Sequence, residues 1–470
     1  MTNLNHISPD NLQITFQTMR AAYNAQPAPS YAERVTVLKT LKASVIKHEQ
    51  AIYDALKKDY GYRSEFDTLI ADVLPSVAGI NYALKNLKKW MKPSKRHAGL
   101  MHFPSSVKVH YQPLGVVGVI TPWNFPVFLA LGPAIQALAA GNRVMIKMSE
   151  FTPNANQVLR EIVKELSEHI QIIEGEADVG AAFSALPFDH LIFTGSSAVG
   201  KLVAKSAADN LTPITLELGG KSPTIIDDQI SMDIAVDAVI LGKSVNSGQI
   251  CVAPDYIFVP EARENEFIST FIERYTQYHL NGENQNSQTH IVSERQYDRL
   301  MAFIEDTKSK GGKLHPVKAI ENDAGRRVYP HLVTQVSEDM SILKEEIFGS
   351  ILPVMTYNKI EEVTRYINER PRPLALYIMS KDNALIDYLL NNTHSGGVSI
   401  NDTAMHAAAD DAPFGGVGNS GMGHYHGYEG FQTFSKAKTV LHSSPWLPKN
   451  AFILKNRDFV YKILRKFLLK

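Results

Sequence analysis

The chain runs to 470 residues, 44% of them hydrophobic and 20% charged, with 48 lysines and arginines against 48 aspartates and glutamates. That length calls for two or three domains, and the even charge balance gives no electrostatic case for a nucleic-acid partner. A single cysteine forms no intrachain disulfide, no apolar run reaches the ~20 residues of a membrane span, and the N-terminus lacks the basic and apolar stretches of a leader, so the expectation is a cytoplasmic enzyme.

Helices are predicted from residue 31 to about 91, where Val35, Leu38, Leu41, Val45, Ile52 and Leu56 recur at three- to four-residue spacing. Gly61 interrupts the run and Pro93 closes it. An extended stretch, 107–111, leads into alternating elements: strand 116–120, apolar helix 127–140, strand 144–147, amphipathic helix 154–170, and strands at 172–173 and 191–194, each followed by a helix. A second alternating block starts after Glu217, with strand 222–226, helix 231–246, strand 256–259, helices 261–280 and 293–310, strand-like runs at 329–336, 351–356 and 374–379, and a closing strand 397–401. Such alternation predicts βαβ units around a mainly parallel sheet, with a second α/β domain over about 218–425. From Asn450 to Lys470, Phe452, Phe459, Val460, Ile463, Leu464, Phe467 and Leu468 alternate with Lys455, Arg457, Lys462, Arg465, Lys466 and Lys470, the spacing of a basic amphipathic helix. Its apolar stripe either packs on the body or a partner subunit, or rests on a membrane surface.

Chemistry concentrates at Cys251, in N-S-G-Q-I-C, and Glu217, in L-E-L-G-G-K. A thiol and a carboxylate set among glycines are what a covalent thiol enzyme with a water-activating base needs. The plain alternatives are a small buried hydrophobe for Cys251 and a buried ion-pair member for Glu217. Asn124, between Trp123 and Phe125, also reads as the cap of the helix entered through Pro126, and Lys147 as a strand-end surface charge. Gly195-Ser-Ser-Ala-Val-Gly200-Lys201 has P-loop spacing, yet Leu202 replaces the magnesium-binding Ser/Thr; what remains is a helix N-terminus suited to a diphosphate. Gly416-Val-Gly418-Asn-Ser-Gly421 matches G-x-G-x-x-G, but no strand leads into it and no crossover helix follows, so it reads as a glycine-dense turn. No H-E-x-x-H or paired-cysteine spacing is present, and no metal is expected, His406, His424 and His426 included.

Seven segments taken together resemble the aldehyde dehydrogenase family: Thr121-Pro-Trp-Asn-Phe-Pro126, Lys147-Met-Ser-Glu150, Phe193-Thr-Gly-Ser196, Glu217-Leu-Gly-Gly-Lys-Ser-Pro223, Gly248-Gln-Ile-Cys251, Glu345-Glu-Ile-Phe-Gly349 and Pro413-Phe-Gly-Gly416. They stand in the family's order across most of the chain. Cys251–Tyr256 and Asn401–His406 are similar to the class 3 branch, and Asp410–Gly427 with Phe431–Lys438 to its bacterial coniferyl aldehyde subgroup.

The resemblance implies an α/β fold with a Rossmann-type NAD-binding domain (1–95 and 114–217), an α/β catalytic domain (218–427), a small β oligomerisation element (96–113 and 428–446) and the tail 447–470. It implies that Cys251 attacks the aldehyde, that Asn124 and the Cys251 N–H hold the oxyanion, and that Glu217 activates water against the thioester. Trp123, Lys147, Glu150, Gly195, Ser196, Gly200, Glu346 and Phe348 are the implied cofactor residues. Lys147 and Glu150 would hold the adenosine ribose, Glu346 the nicotinamide ribose, and Phe348 would pack by the nicotinamide. A glutamate at 150 favours NAD, while class 3 members also leave NADP open. Ser350 departs from the family, which has proline there, and loosening of the Glu346 loop is expected. A homodimer is implied, with coniferyl aldehyde or a related aromatic aldehyde as substrate. The rivals are a long-chain fatty aldehyde enzyme at a membrane surface, a coenzyme A-acylating relative and a non-catalytic homologue.

Overall fold

A computed structural model describes residues 9–99, 102–281, 288–319 and 325–469. The apolar runs of the first alternating block become the inner strands of a six-stranded sheet. Its order is Gly421–Met422, Ile214–Leu218, His190–Gly195, Val116–Ile120, Arg143–Lys147 and Ile170–Ile173, parallel except for the first strand. Side chains alternate between faces at period two. Val117, Val119, Val144, Ile146 and Ile192 enter a core under helices Tyr31–Lys47, Leu74–Trp90, Pro126–Ala140 and Pro153–Val163. Val116, Met145, Leu191, Phe193 and Leu216 enter a second core under helices Pro9–Ala25, Ala177–Ser184 and Ser197–Ala208. Burial on both faces is why these strands read as unbroken apolar runs. Strand order reverses beside Val116–Ile120, which opens a crevice at the C-terminal strand ends, where Lys147 and Gly195 sit.

The second block forms a seven-stranded sheet: Lys313–Pro316, His331–Thr334, Ile351–Tyr357, Tyr256–Pro260, Pro223–Ile226, Ala375–Met379 and Gly397–Ile400. Only its Lys313–Pro316 edge is antiparallel. A third sheet joins Ser94–Arg96, Ser106–Pro113 and Ser435–His442, the last two paired over eight residues.

Several expectations change. Helix Pro9–Ala25 begins before the predicted helical region and buries Leu12, Phe16 and Met19. The helix predicted to Ile170 ends at Val163, since Ile170 is taken by strand pairing with Val144. Gly421–Met422, from the segment assigned to the second domain, edges the first sheet by pairing with Glu217 and Leu216. Residues 428–433 of the presumed oligomerisation strands belong to helix Gly427–Thr433, whose Phe431 packs on Trp90 and Tyr111. The tail is two helices, Lys449–Lys455 and Arg457–Leu468, broken at Asn456. Neither helix buries a residue, so the apolar stripe does not pack into the body of its own chain. Among the described residues no helix is long and apolar enough to cross a membrane.

Candidate active site

Helix Met232–Ser244 runs into the turn Val245–Gly248, where Asn246, Ser247 and Gly248 have φ of 49°, 55° and 72°. Glycine tolerates that region, whereas the two L-residues need outside support. Asp67 Oδ2 accepts from the Asn246 N–H at 3.1 Å, and the Ser350 hydroxyl donates to the Ser247 carbonyl at 3.0 Å. A Cβ on Gly248 would lie 2.6 Å from the Gly349 carbonyl oxygen, so the nucleophile turn touches the Glu345–Gly349 loop backbone to backbone. The expected loosening at Ser350 is therefore corrected. Its side chain is fully buried and ties that loop to the turn, a bond proline cannot make.

Three residues later stands Cys251, half-buried. Burial first, then the carboxylates of Glu346 and Glu217, push its thiol up to about 12. The three groups thus share one electrostatic neighbourhood. Glu217 lies on strand Ile214–Leu218, 4% exposed, and neither carboxylate oxygen has a hydrogen-bond partner among the described residues. The ion-pair alternative fails on that count. Burial alone holds Glu217 well above the usual carboxylate range, which makes it a stronger base once ionised.

Asn124 is 2% exposed and does not cap the following helix, whose N-cap is Phe125 with no side-chain bond. The first amides of that helix, Val127 and Phe128, donate instead to Asp72 Oδ1 at 2.9 and 3.1 Å. Asn124 is held by four bonds. Arg63, Tyr60 and the Asn246 Nδ2 donate to its carbonyl at 2.8, 3.1 and 3.2 Å, and its own Nδ2 donates to the Gln249 carbonyl at 3.2 Å. That bond uses one amide hydrogen and leaves the second for an incoming oxygen.

Glu346 lies across Gly219: a Cβ there would sit 2.0 Å from Glu346 Oε2. Burial and then Asp255 push Glu346 up to about 8. Its loop is clamped by Arg299, which donates to the Glu346 and Ile347 carbonyls at 3.1 and 2.6 Å, and by Lys221, bound to Asp255 and to the Ile342 and Glu345 carbonyls. The clamp holds Phe348 at φ 47°, with its ring 5.3 Å from Trp123 in an edge-on contact. Glu346, Gly219, Gly220, Lys221, Ser197 and Asn419 border a cleft of about 630 Å³.

Lys147 is 4% exposed, which overturns the surface-charge alternative; its Nζ donates to the Met148 carbonyl at 2.8 Å, and burial lowers its pKa. Glu150 is exposed nearby and attracts Lys147. Gly195 ends its strand, and Ser196 caps helix Ser197–Ala208 by accepting from the Val199 N–H at 3.4 Å. Gly200 is buried on the inner face of that helix, where a Cβ would lie 2.7 Å from Leu218 Cδ2. His406 and His426 each face the Phe414 ring, and among the described residues no group of three His, Cys, Asp or Glu is placed to hold a metal.

A model of the aldehyde dehydrogenase family matches residues 1–440. This chain belongs to that family. A "probable coniferyl aldehyde dehydrogenase" of Pseudomonas aeruginosa is 50% identical over 433 residues, covering 92% of this chain and 90% of that protein. Among solved structures, AldH of Staphylococcus aureus in a substrate-bound state has a TM-score of 0.89 at 34% identity, covering 95% of this chain and 99% of that one. The NAD+ complex of an aldehyde dehydrogenase from Bacillus cereus has a TM-score of 0.84 at 26% identity, covering 93% and 90%. The protein is an aldehyde-oxidising enzyme with the family's α/β fold. Around the residues that the motifs single out stand supports that no motif names. Tyr60, Arg63, Asp72 and Arg299 lie outside every quoted motif. Asn246, Gln249 and Lys221 lie within motifs as unremarked letters. Gln249, fully buried and bonded to Asn246 and Val292, was the one a reader could have flagged, as an amide directly before an apolar turn.

Proposed function

We propose that this aldehyde dehydrogenase converts coniferyl aldehyde or a related aromatic aldehyde to its carboxylic acid with NAD, through a covalent intermediate on Cys251. The observation that carries it is the partnerless Glu217 carboxylate in the electrostatic reach of the only thiol. Cys251 Sγ adds to the carbonyl carbon, and the oxygen gains a proton or the Asn124 amide and Cys251 N–H as donors; such a donor is worth about 2.7–4 kcal/mol in the transition state. A bound NAD would supply the acceptor for the hydride; loss of that hydride from the carbon, and of the hydroxyl proton to solvent, turns the thiohemiacetal into a thioester. Glu217 then takes a proton from water as its oxygen attacks the thioester carbon; the C–S bond breaks, the acid departs and the thiol is restored. A base of this kind supports water rather than coenzyme A as the acyl acceptor.

The residues fit the cofactor. Glu346 Oε1 is buried without a partner among the described residues beside the cleft, and Ser197, the first residue of the capped helix, borders it. Lys147 and Glu150 would hold the adenosine ribose, with Glu150 disfavouring a 2′-phosphate; Trp123 and Phe348 would flank the nicotinamide, and Gly195, Ser196 and Gly200 would shape the diphosphate site. The division into cofactor, catalytic and oligomerisation parts belongs to the same proposal, as does a homodimer built on Ser435–His442, seven of whose eight residues are exposed. The test is NADH formation with coniferyl aldehyde and decanal side by side, with Cys251→Ala as blank. Preference for coniferyl aldehyde, lost in the variant, is expected; activity that survives Cys251→Ala would refute the mechanism.

One observation favours a second reading, a fatty-aldehyde enzyme at a membrane surface. The tail exposes Trp446, Phe452, Phe459, Phe467 and Leu469 beside six lysines and arginines from 455 to 470. Deleting 447–470 would then abolish binding to anionic vesicles and spare turnover of a soluble aldehyde. Intact protein that ignores such vesicles eliminates this reading.

A further inference from the structure

The 630 Å³ cleft beside Glu346 has two walls of different chemistry. On one, Ser197 opens helix Ser197–Ala208, and its hydroxyl donates to the Asn419 carbonyl at 3.0 Å. On the other runs Arg370-Pro-Arg-Pro373, packed so closely that a Cβ on Gly220 would lie 3.3 Å from Pro373 Cα. Four cations border the cleft: Lys221, Lys344, Arg370 and Arg372. Lys221 is engaged by Asp255 and two loop carbonyls, and Arg370 by Glu338 and the Tyr366 carbonyl. Lys344 stands within the electrostatic reach of Asp339. Arg372 is exposed and has neither an ion pair nor a hydrogen bond among the described residues.

The side chain of Arg372 crosses towards the opposite wall. A Cβ on Gly418 would lie 3.9 Å from Arg372 Cδ, and Gly418 directly precedes Asn419, the residue that Ser197 bonds. Prolines on both sides restrict the backbone that presents it, and strand Ala375–Met379 follows two residues after Pro373. A helix N-terminus offers a partial positive charge of about half a unit, whereas a diphosphate diester is negative at each phosphate. The helix alone therefore leaves most of that charge uncompensated. A guanidinium supplies a full charge and a planar fork of donors that matches two phosphate oxygens. Glu346 Oε1, without a partner among the described residues, borders the same cleft and calls for a donor such as a sugar hydroxyl. An anionic ligand that also carries hydroxyls, a dinucleotide, meets both demands.

We propose that Arg372 is a cofactor-binding residue whose guanidinium donates to the diphosphate of NAD from the wall opposite the Ser197 helix. This rests on the reading of the cleft as the NAD site and deepens it. The contact would tie the cofactor to both sheets, since Ser197 follows a strand of the first and Arg372 leads into a strand of the second.

The experiment measures the dissociation constant of NADH from its fluorescence on the full-length protein, with no aldehyde present. Wild type, Arg372→Gln, Arg372→Lys and Lys344→Gln are compared at about 0.05 and about 0.5 M NaCl, where screening differs severalfold. Arg372→Gln is expected to weaken binding roughly tenfold at low salt, the size of one charge-assisted hydrogen bond, and by less at high salt. Arg372→Lys keeps the charge without the fork and should recover part of the affinity. Lys344→Gln removes a cation from the same cleft and should weaken binding far less than Arg372→Gln. With no partner to lose, Arg372→Gln should melt at the wild-type temperature. A dissociation constant within about twofold of the wild type in Arg372→Gln, an equal loss in Lys344→Gln, a loss that salt leaves unchanged, or a lower melting temperature in Arg372→Gln each overturns the proposal while the NAD site stands. Failure of the wild type to bind NADH overturns it together with the cofactor reading on which it rests.

Discussion

Two sets of buried polar groups meet at Asn124 and are built on opposite terms. Beneath it, Arg63 and Asp72 pair at 2.7 Å with both side chains fully buried; Arg63 also holds the Asn124 carbonyl, and Asp72 receives two helix amides. Apart from Arg63 Nε, that network has its partners. Above it, the Glu217 carboxylate, the Asn124 Oδ1, Glu346 Oε1 and His426 Nδ1 have none among the described residues. On the proposed mechanism, the contrast at Asn124 sets a supporting pair against groups that would meet reactants. A satisfied network costs its desolvation once and fixes a position, whereas an unsatisfied group stays energetically exposed until a reactant meets it.

Breaking each side should look different. Glu217→Gln is expected to lower steady-state turnover by about 10²–10⁴-fold and still release a first equivalent of NADH per subunit, because only the water step needs the base. A rapid-mixing trace without that burst would show that Glu217 acts before the thioester. The same change should not lower the melting temperature. Arg63→Met should, since it leaves Asp72 ionisable and unpaired in the core, a loss of about 3–5 kcal/mol by denaturant unfolding. Changing Asp72→Asn as well should recover part of it.

Glu346 sharpens the comparison through pH. Its folded pKa of about 8 lies above the ordinary carboxylate range, so the folded form holds this proton more tightly than the unfolded chain. Its contribution to stability is therefore intact at acid pH and falls away as pH rises from that range through about 8. Glu346→Gln removes the decline, and its melting temperature should exceed that of the wild type by more at pH 8 than at pH 5. Alkylation of Cys251 should also become faster in this variant, since one of the charges that raise the thiol pKa is gone. Ser350→Ala is expected to show the smallest effect, about 1 kcal/mol, by leaving the Ser247 carbonyl without its donor.

How much of this was legible beforehand varied with the range of the interaction. The strands Val116–Ile120 and Arg143–Lys147 were readable because burial on both faces demands an apolar residue at nearly every position. Gly61 ends its helix as read, with φ at 80°. The local alternatives for Lys147 and Asn124, a surface charge and a helix cap, fail because each residue is buried by elements distant in sequence. The two-residue strand Gly421–Met422 has no periodicity to detect; it exists because the edge of Ile214–Leu218 was open to it.

By itself, then, the sequence determined the alternation of strands and helices and the family, since these follow from local apolar patterns and motifs a few residues long. Only the tertiary structure decided which polar groups would be satisfied. Arg63 reaches Asn124 across 61 positions and Ser350 reaches Ser247 across 103, while among the described residues no group bonds the Glu217 carboxylate. Hydrogen-bond satisfaction depends on distances that close only when the sheets and helices have packed, and no local pattern records it.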